Sequence, residues 1–121
     1  YYILIIIMSN SILDTFENPN VGREYEVNFD IPEFTCLCPL TGQPDFAHFY
    51  ITYIPDKLCI ELKSLKLYFF SFRDKSGFHE AITNQVLNDL ISKIDPIYMQ
   101  ITGEFFVRGG ISTTVVVEHN K

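Results

Sequence analysis

The sequence has no tryptophan and few cysteines. Only Cys36, Cys38 and Cys59 are present among its 121 residues. An odd number of cysteines without a clear secretory signal is typical of a reducing compartment, so the sequence predicts a cytoplasmic protein. A bridge between Cys36 and Cys38, only two positions apart, would be strained. CxxC and HxxxH spacings are both missing, so a structural zinc site has little support and no bound metal is expected.

Positive charge is scarce as well. Nine basic residues stand against fifteen acidic ones, the net charge is −6, and no stretch forms a basic run. A protein that binds a nucleic-acid strand or duplex needs a positive footprint, so direct contact with nucleic acid is not expected. A small anionic cofactor needs only a local cluster of lysine and arginine, and that possibility stays open.

The apolar run at residues 1–7 is short and precedes Met8. About 20 apolar residues are needed to span a bilayer, so no membrane role is expected. The run also lacks the charged start and the small-residue cleavage site of a signal peptide. We therefore expect an extension in front of a natural start at Met8. Residues 1–23 as a whole are predicted to form an extension or arm, and residues 24–121 a single domain.

Apolar residues are plentiful in that domain. Hydrophobic residues make up 47% of the chain and aromatic residues 15%, with eleven Phe and seven Tyr. This is enough for a packed core in one domain. A domain of this size still exposes much of its surface, so the aromatic surplus indicates that other subunits cover part of it.

The first half of the predicted domain has the pattern of strands. Residues 24–31 alternate with period two, and Pro32 is expected to end that strand. Residues 46–54, dense in aromatic and β-branched side chains, predict a second strand. After a turn at Pro55-Asp56, residues 58–61 predict a short third strand that returns beside the second.

The second half changes period and then returns to strands. Leu65, Phe69 and Phe72 recur at helical spacing from Ser64, and residues 79–94 predict a second helix that stops at Asp95-Pro96. Residues 98–107 and 111–118 read as two strands joined at Arg108-Gly109-Gly110. The order of strands, two helices and strands predicts an α+β domain with both helices on one face of an antiparallel sheet.

Two side chains near the start of the second strand are candidates for catalysis. Cys38 precedes a proline in a loop, where exposure favours a reactive thiol, and Cys36 is its rival. Asp45 follows a turn that can bring it back toward Cys38, so it is either a proton donor or a simple turn carboxylate. Cys59 in its strand is expected to be structural, and His48 a packed or surface histidine.

Other charged residues have both a structural and a functional interpretation. Glu80, at the start of the second helix, either complements the helix dipole or accepts two hydrogen bonds from a guanine-like edge. Lys63 and Lys66 lie at the start of the first helix and either bind a phosphate or only face solvent. The Arg108-Gly109-Gly110 segment either lets a phosphate approach the backbone or is only a tight turn.

Taken together and in this order, the motifs resemble the NADPH-dependent 7-cyano-7-deazaguanine reductases, the nitrile reductases of queuosine biosynthesis. The resemblance covers roughly residues 33–110 and is most specific at ELKSLKLY, residues 61–68, and at Cys38-Pro39 with Asp45. Phe78-His79-Glu80 and the Arg108 turn match as well. The apolar start and the short tail after Ile111 depart from the family pattern.

The resemblance implies the tunnelling fold, in which subunits close into rings, and a homo-oligomer of two stacked pentamers with sites at subunit interfaces. It implies a Cys38 nucleophile that forms a covalent thioimide with the nitrile, and Asp45 as its proton donor. The substrate would be a small deazapurine and the reductant NADPH. Two other classes stay open, namely a zinc-dependent cyclohydrolase or pterin enzyme of the same fold, and a non-catalytic purine-binding ring module.

The resemblance also implies two sets of binding residues. The deazaguanine is expected to contact Ile60, Glu61, Leu62, His79 and Glu80. The cofactor is expected to contact Leu62, Lys63, Arg108 and Gly109. Lys66 is a further candidate for phosphate on the ground of its charge alone.

Overall fold

A computed structural model describes residues 12–121, so the predictions for residues 1–7 lie outside the described residues. Its centre is a four-stranded antiparallel sheet. In spatial order its strands are β2 (Val27–Leu37), β3 (Pro44–Ile54), β5 (Tyr98–Arg108) and β6 (Ile111–Asn120). Two further strands, β1 (Thr15–Glu17) and β4 (Leu58–Ile60), form a small sheet of their own.

The core is formed by two helices packed against alternate residues of the strands. The helices are α1 (Leu62–Phe70), continued by a 3₁₀ helix at Ser71–Asp74, and α2 (His79–Ile94). Ala47, Phe49, Ile51 and Tyr53 on β3 are buried together with the apolar stripes of both helices. This confirms the predicted α+β arrangement. None of the helices in residues 12–121 is both long and apolar enough to cross a membrane.

Gly103 on β5 allows α2 to lie close to the sheet. A Cβ at this position would come within 2.9 Å of Thr83 Oγ1 and 3.1 Å of Phe49 Cζ. The first distance is shorter than real Cβ contacts and the second is tighter than most of them, so a larger residue would displace Thr83 on α2 or Phe49. The packing distance of α2 from the sheet therefore depends on this glycine.

The prediction that Pro32 ends its strand is wrong. β2 continues to Leu37, with a register irregularity between Ile31 and Phe34. Pro32 is tolerated because β2 is an edge strand, where one side of the backbone has no ladder hydrogen bonds to lose. As a result Phe34 and Cys36 are buried strand residues rather than loop residues.

The partner predicted for the third strand is also wrong. β4 pairs with β1 through Thr15↔Ile60, not with β3. Both edges of β3 are already occupied, by β2 and β5, which leaves no place for β4. Part of the predicted arm is therefore a strand, and Leu13 within it is buried in the core. The division of the chain at residue 24 stays a prediction.

Candidate active site

A cavity of about 350 Å³ lies where the β2–β3 turn, the start of α2 and the end of β5 meet. We call it the Cys38 cavity. It is lined by Cys38, Pro39, Thr41, Gln43, Asp45, Gly77, Phe78, His79, Glu80 and Arg108. Its volume lies at the lower end of the range for small-ligand sites, and it suits a ring system of purine size. The structure thus brings together five of the residues singled out in the sequence: Cys38, Asp45, His79, Glu80 and Arg108.

The turn after Cys38 folds the chain back on itself. The Cys38 N–H donates to the Gln43 carbonyl over 2.8 Å, and the Gly42 N–H donates to the Cys38 carbonyl over 2.9 Å. Gly42 has φ +72°, a backbone conformation that glycine adopts without strain. Asp45 then begins the return, directly opposite Cys36. The expected approach of Asp45 to Cys38 follows from this turn.

The start of α2 is attached to the end of β2. The Leu37 N–H donates to the Lys75 carbonyl over 2.9 Å, and the Gly77 N–H donates to the Leu37 carbonyl over 3.1 Å. A Cβ on Gly77 would be 2.5 Å from Ile82 Cδ1, so a larger residue here would force the buried Ile82 side chain to move. This short parallel pairing places the first turn of α2, and with it His79 and Glu80, beside Cys38.

The pKa values of Cys38 and Cys36 are shifted in opposite directions. The Thr41 hydroxyl, followed by the backbone N–H groups of Thr41 and Leu40, stabilises the thiolate and lowers the pKa of Cys38. Burial, and after it the charges of Asp45 and Cys38, raises the pKa of Cys36 to about 12. Cys38 is partly accessible, whereas Cys36 is buried. The thiolate is the nucleophilic form, so these shifts favour Cys38 over Cys36 as the candidate nucleophile.

Asp45 is held at both carboxylate oxygens. Its side chain is only 9% exposed, and Oδ1 lies 3.1 Å from Arg108 Nη2. Oδ2 lies 3.3 Å from His79 Nε2. The His79 ring stacks on Phe105, with 3.9 Å between ring centroids and 7° between planes. A largely buried carboxylate needs such partners, and here they also fix its orientation toward the cavity.

Glu80 lies in the first turn of α2 with an exposed side chain. Its backbone carbonyl accepts a hydrogen bond from Asn84 Nδ2. Within residues 12–121 its carboxylate has no hydrogen-bond or ion-pair partner. The carboxylate is therefore available to a ligand in the Cys38 cavity.

Ile60, Glu61, Leu62, Lys63 and Lys66 lie outside the Cys38 cavity. Glu61 is the N-cap of α1, and its carboxylate accepts the N–H groups of Lys63 and Ser64 at 2.8 Å each. These bonds lower the pKa of Glu61. Ile60 is buried, with its N–H bound to the Tyr53 hydroxyl.

Leu62 and Lys66 line a second hollow, between β2 and α1, which we call the Leu62 groove. Its volume is about 360 Å³, and apolar residues such as Phe29, Phe69 and Phe70 form much of its wall. Leu62 is 64% exposed. One copy of the chain therefore divides both predicted sets of binding residues. His79, Glu80 and Arg108 line the Cys38 cavity, whereas Leu62 and Lys66 line the Leu62 groove.

Gly109 lies at the tip of the β5–β6 hairpin rather than in the Cys38 cavity. Gly109 and Gly110 have φ of +59° and +82°. A two-residue hairpin turn with both φ values positive requires residues of this kind, so the structural interpretation of this Gly-Gly pair is sufficient to explain it. The turn ends β5 in a way that directs Arg108 toward Asp45.

Sequence reasoning missed three contributors to the site. Thr41 stabilises the Cys38 thiolate, Gln43 accepts a hydrogen bond from Arg108 over 3.2 Å, and Phe105 supports His79. The sequence indicates that Thr41 and Gln43 are turn residues, but it does not reveal their contacts with Cys38 and Arg108. Phe105 has the alternating pattern of a core residue, and only the register of β5 shows that its ring meets a histidine.

Within residues 12–121, no group of three or more His, Cys, Asp and Glu side chains is arranged to hold a metal ion. The chemistry available in the Cys38 cavity is that of an acidic thiol, a held carboxyl group and a histidine. Such a set suits covalent addition of sulfur to an electrophilic carbon combined with proton transfer.

Comparison with known proteins places the chain among relatives of similar length. The profile of the family described as QueF-like protein matches residues 44–121. The NADPH-dependent 7-cyano-7-deazaguanine reductase of Magnetococcus marinus is 63% identical over 111 residues, covering 92% of this chain and 87% of that protein. The enzyme of the same name from Halorhodospira halophila is 61% identical, covering 89% of this chain and 92% of that protein.

A solved structure shares the fold. The archaeosine synthase QueF-Like in its apo form superimposes with a TM-score of 0.72 at 19% identity, covering 84% of this chain and 98% of that one. This likeness supports the tunnelling fold and nothing about chemistry. The profile match and the high identity to the reductases show that the chain belongs to the QueF-like family, together with the NADPH-dependent 7-cyano-7-deazaguanine reductases.

Proposed function

We propose that this protein reduces the nitrile 7-cyano-7-deazaguanine to the primary amine 7-aminomethyl-7-deazaguanine with NADPH, a step of queuosine biosynthesis. Family membership supports the reaction. The observation that carries it is that Cys38, with a lowered pKa, lines the same cavity as the nearly buried carboxyl group of Asp45. A nitrile needs both a nucleophile for carbon and a proton for nitrogen.

In the first step the Cys38 thiolate adds to the nitrile carbon. A sulfur–carbon bond forms, one carbon–nitrogen π bond breaks, and Asp45 gives the proton that the nitrogen needs. The product is a thioimide covalently bound to the protein. The donors of Thr41 and Leu40 keep the thiolate populated for this attack.

NADPH would supply one hydride per molecule when bound, so two molecules in turn would provide the two hydrides that turn the nitrile carbon into a CH₂ group. Between the two hydrides the chain has to release sulfur from carbon, which frees an imine. A thiol of lower pKa leaves faster, so the same donors that activate Cys38 also help its departure. Asp45 and His79, 3.3 Å apart, are the groups that can move protons to and from the nitrogen.

Substrate recognition is assigned to His79 and Glu80. The unpartnered carboxylate of Glu80 can accept the ring N–H and the exocyclic amine of the deazaguanine edge. His79 offers a ring in the same cavity. Ile60, Glu61 and Leu62 are expected to line the base as well, but from a second copy, because in one chain they lie outside the cavity.

The cofactor positions fit a dinucleotide only in part within one chain. Leu62 and Lys66 contribute an apolar wall and a cation in the Leu62 groove, with Lys63 exposed beside them. Arg108 lines the other hollow, with Gly109 next to it at the hairpin tip, and the Arg108 guanidinium already binds Asp45. We assign all five residues to NADPH, on the condition that two copies bring the two hollows together.

The protein is therefore expected to act as a homo-oligomer, as two stacked pentamers by resemblance to its family. β2 and β6 are edge strands of the four-stranded sheet in the single chain, and open edges favour pairing with another copy. Exposed Leu62, Phe70 and Phe78 add apolar surface for such contacts. The three free thiols suit the cytoplasm, and neither nucleic acid nor a membrane is expected as a direct partner.

The mass of the intact protein after incubation with 7-cyano-7-deazaguanine, without NADPH, tests the proposal. The expected result is a gain equal to the mass of the nitrile, located on Cys38 by peptide mapping. Addition of NADPH should then remove the adduct and release the amine. A wild-type protein that forms no adduct and oxidises no NADPH with this nitrile would contradict the proposed function.

A further inference from the structure

Arg108 lies in the Cys38 cavity in a way that a role in cofactor binding does not explain. Its Nη2 is 3.1 Å from Asp45 Oδ1 and also donates to the Pro44 carbonyl, while Nη1 donates to Gln43 Oε1 over 3.2 Å. The guanidinium thus binds the Asp45 carboxylate and the two residues before it. These contacts reach from the end of β5 to the turn that carries Cys38, 65 positions away along the chain in the case of Gln43.

The chemistry of the guanidinium restricts where Asp45 can carry a proton. Arginine has only donors and keeps its charge in proteins. A proton on Oδ1 would therefore face an N–H of Arg108, donor against donor. On Oδ2 the neighbour is His79 Nε2 at 3.3 Å, a ring nitrogen that either donates or accepts. Oδ2 is consequently the oxygen that can hold a transferable proton.

We propose that Arg108 is a positioning residue for the proton donor, holding Oδ1 of Asp45 so that Oδ2 carries the proton given to the nitrile nitrogen. This rests on the proposed function. In that step the Cys38 sulfur–carbon bond forms, one carbon–nitrogen π bond breaks, and the proton passes from Oδ2 to nitrogen, with no change of oxidation state. Arg108 therefore acts in a step that takes place before any hydride is transferred.

The rate of adduct formation at saturating nitrile, measured by mass spectrometry without NADPH, separates this role from cofactor binding. Arg108→Gln should slow it at least about ten-fold, part of the 10²–10⁴ that a positioned acid contributes. Arg108→Lys keeps the positive charge but not the planar guanidinium that can donate to two acceptors, so its rate of adduct formation should fall less. The dissociation constant of the nitrile should change much less than the saturating rate in both variants.

Arg73→Gln is the matched control. Arg73 lies on the 3₁₀ helix with its guanidinium 4.5 Å from the Phe70 ring centroid, and it does not line the Cys38 cavity. The Arg73→Gln variant loses the same positive charge as Arg108→Gln and should form the adduct at the wild-type rate. Chemical rescue adds a second readout, because free guanidinium should restore adduct formation in Arg108→Ala, whereas tetramethylammonium at equal concentration should not.

Wild-type adduct formation by Arg108→Gln, together with weaker NADPH binding, would overturn the inference and leave Arg108 as a cofactor contact only. A slow variant that guanidinium does not restore would overturn it too, since a merely distorted turn cannot be repaired by a small cation. Failure of the wild-type protein itself to form the adduct would instead count against the proposed function, and this inference would fall with it.

Discussion

Cys36 and Cys38 lie on either side of the last residue of β2, and the pKa values of their thiols are shifted in opposite directions. Cys36 is a buried strand residue with a pKa raised to about 12, while Cys38 begins a turn whose donors lower its pKa. The buried sulfur and the proposed nucleophile are thus only two positions apart in the chain. The difference comes from where β2 ends rather than from any difference between the side chains.

The first prediction concerns the identity of the nucleophile. Cys38→Ala should abolish both the covalent adduct and NADPH oxidation, because no other thiolate lies in the cavity to replace it. Cys36→Ala and Cys59→Ala should keep turnover within a few-fold of wild type. Steady-state NADPH oxidation and intact mass check all three variants. An inactive Cys36→Ala beside an active Cys38→Ala would show that the sulfur assignment is wrong.

The second prediction concerns pH. In a background with Cys36→Ala and Cys59→Ala, alkylation by iodoacetamide should report the Cys38 thiolate, with a midpoint below that of a free cysteine. Thr41→Val removes the hydroxyl that contributes most to the lowered pKa, so the thiolate becomes less stable. Its alkylation midpoint should move upward and its rate at neutral pH should fall. Identical pH profiles with and without Thr41→Val would contradict the role of this hydroxyl.

The third prediction concerns Glu80. Glu80→Gln replaces one acceptor oxygen with a donor and should weaken substrate binding roughly ten- to a hundred-fold, the cost of a lost hydrogen bond to a charged group. Glu80→Leu should cost more, and NADPH affinity should barely change in either variant. Separate titrations with substrate and with NADPH measure both quantities. Unchanged substrate affinity in Glu80→Leu would leave this residue as a helix-start carboxylate.

The fourth prediction concerns assembly. Because one chain divides each predicted set of binding residues between two separate hollows, activity should require association of copies. Light scattering should show an oligomer at working concentration, and dilution should lower the specific activity once the oligomer dissociates. A stable monomer with full activity would exclude a site built between subunits.

The fifth prediction concerns the cofactor. NADPH carries several negative charges, so its binding should weaken as salt increases, despite the net charge of −6 on the chain. Lys63→Gln and Lys66→Gln should reduce that salt dependence, whereas Lys93→Gln, at the far end of α2, should not. Binding isotherms at several salt concentrations provide the measurement. Equal use of NADH and NADPH would argue against a contact to the additional phosphate.

The sequence predicts some elements to their ends and misplaces others for physical reasons. α2 begins and ends as predicted because its apolar stripe is continuous and Asp95-Pro96 interrupts it. The pairing of β4 was not predictable, since β1, with Thr15, Phe16 and Glu17, has no apolar alternation of its own. The strand end predicted at Pro32 was wrong because a proline interrupts a central strand but is tolerated in an edge strand. Whether a strand lies at an edge is a property of the whole sheet.

The same distinction applies to the site. Cys38 and Asp45 are close in sequence and joined by one turn, so local reasoning brought them together. Arg108 reaches Asp45 only through the register of β3 and β5, which no local pattern reveals. In the single chain the Glu61 carboxylate caps α1, which the sequence analysis did not anticipate, and its contact with the substrate stays a prediction.

β5 supplies both supports of the carboxyl group, Phe105 behind His79 and Arg108 on Oδ1. A strand that slips by one residue turns every side chain to the opposite face, so the two supports would be lost at the same moment. The proposed catalytic group therefore depends on β5 as a unit. A refolded chain in which β5 takes another register should lose both supports of Asp45 together, rather than one of them.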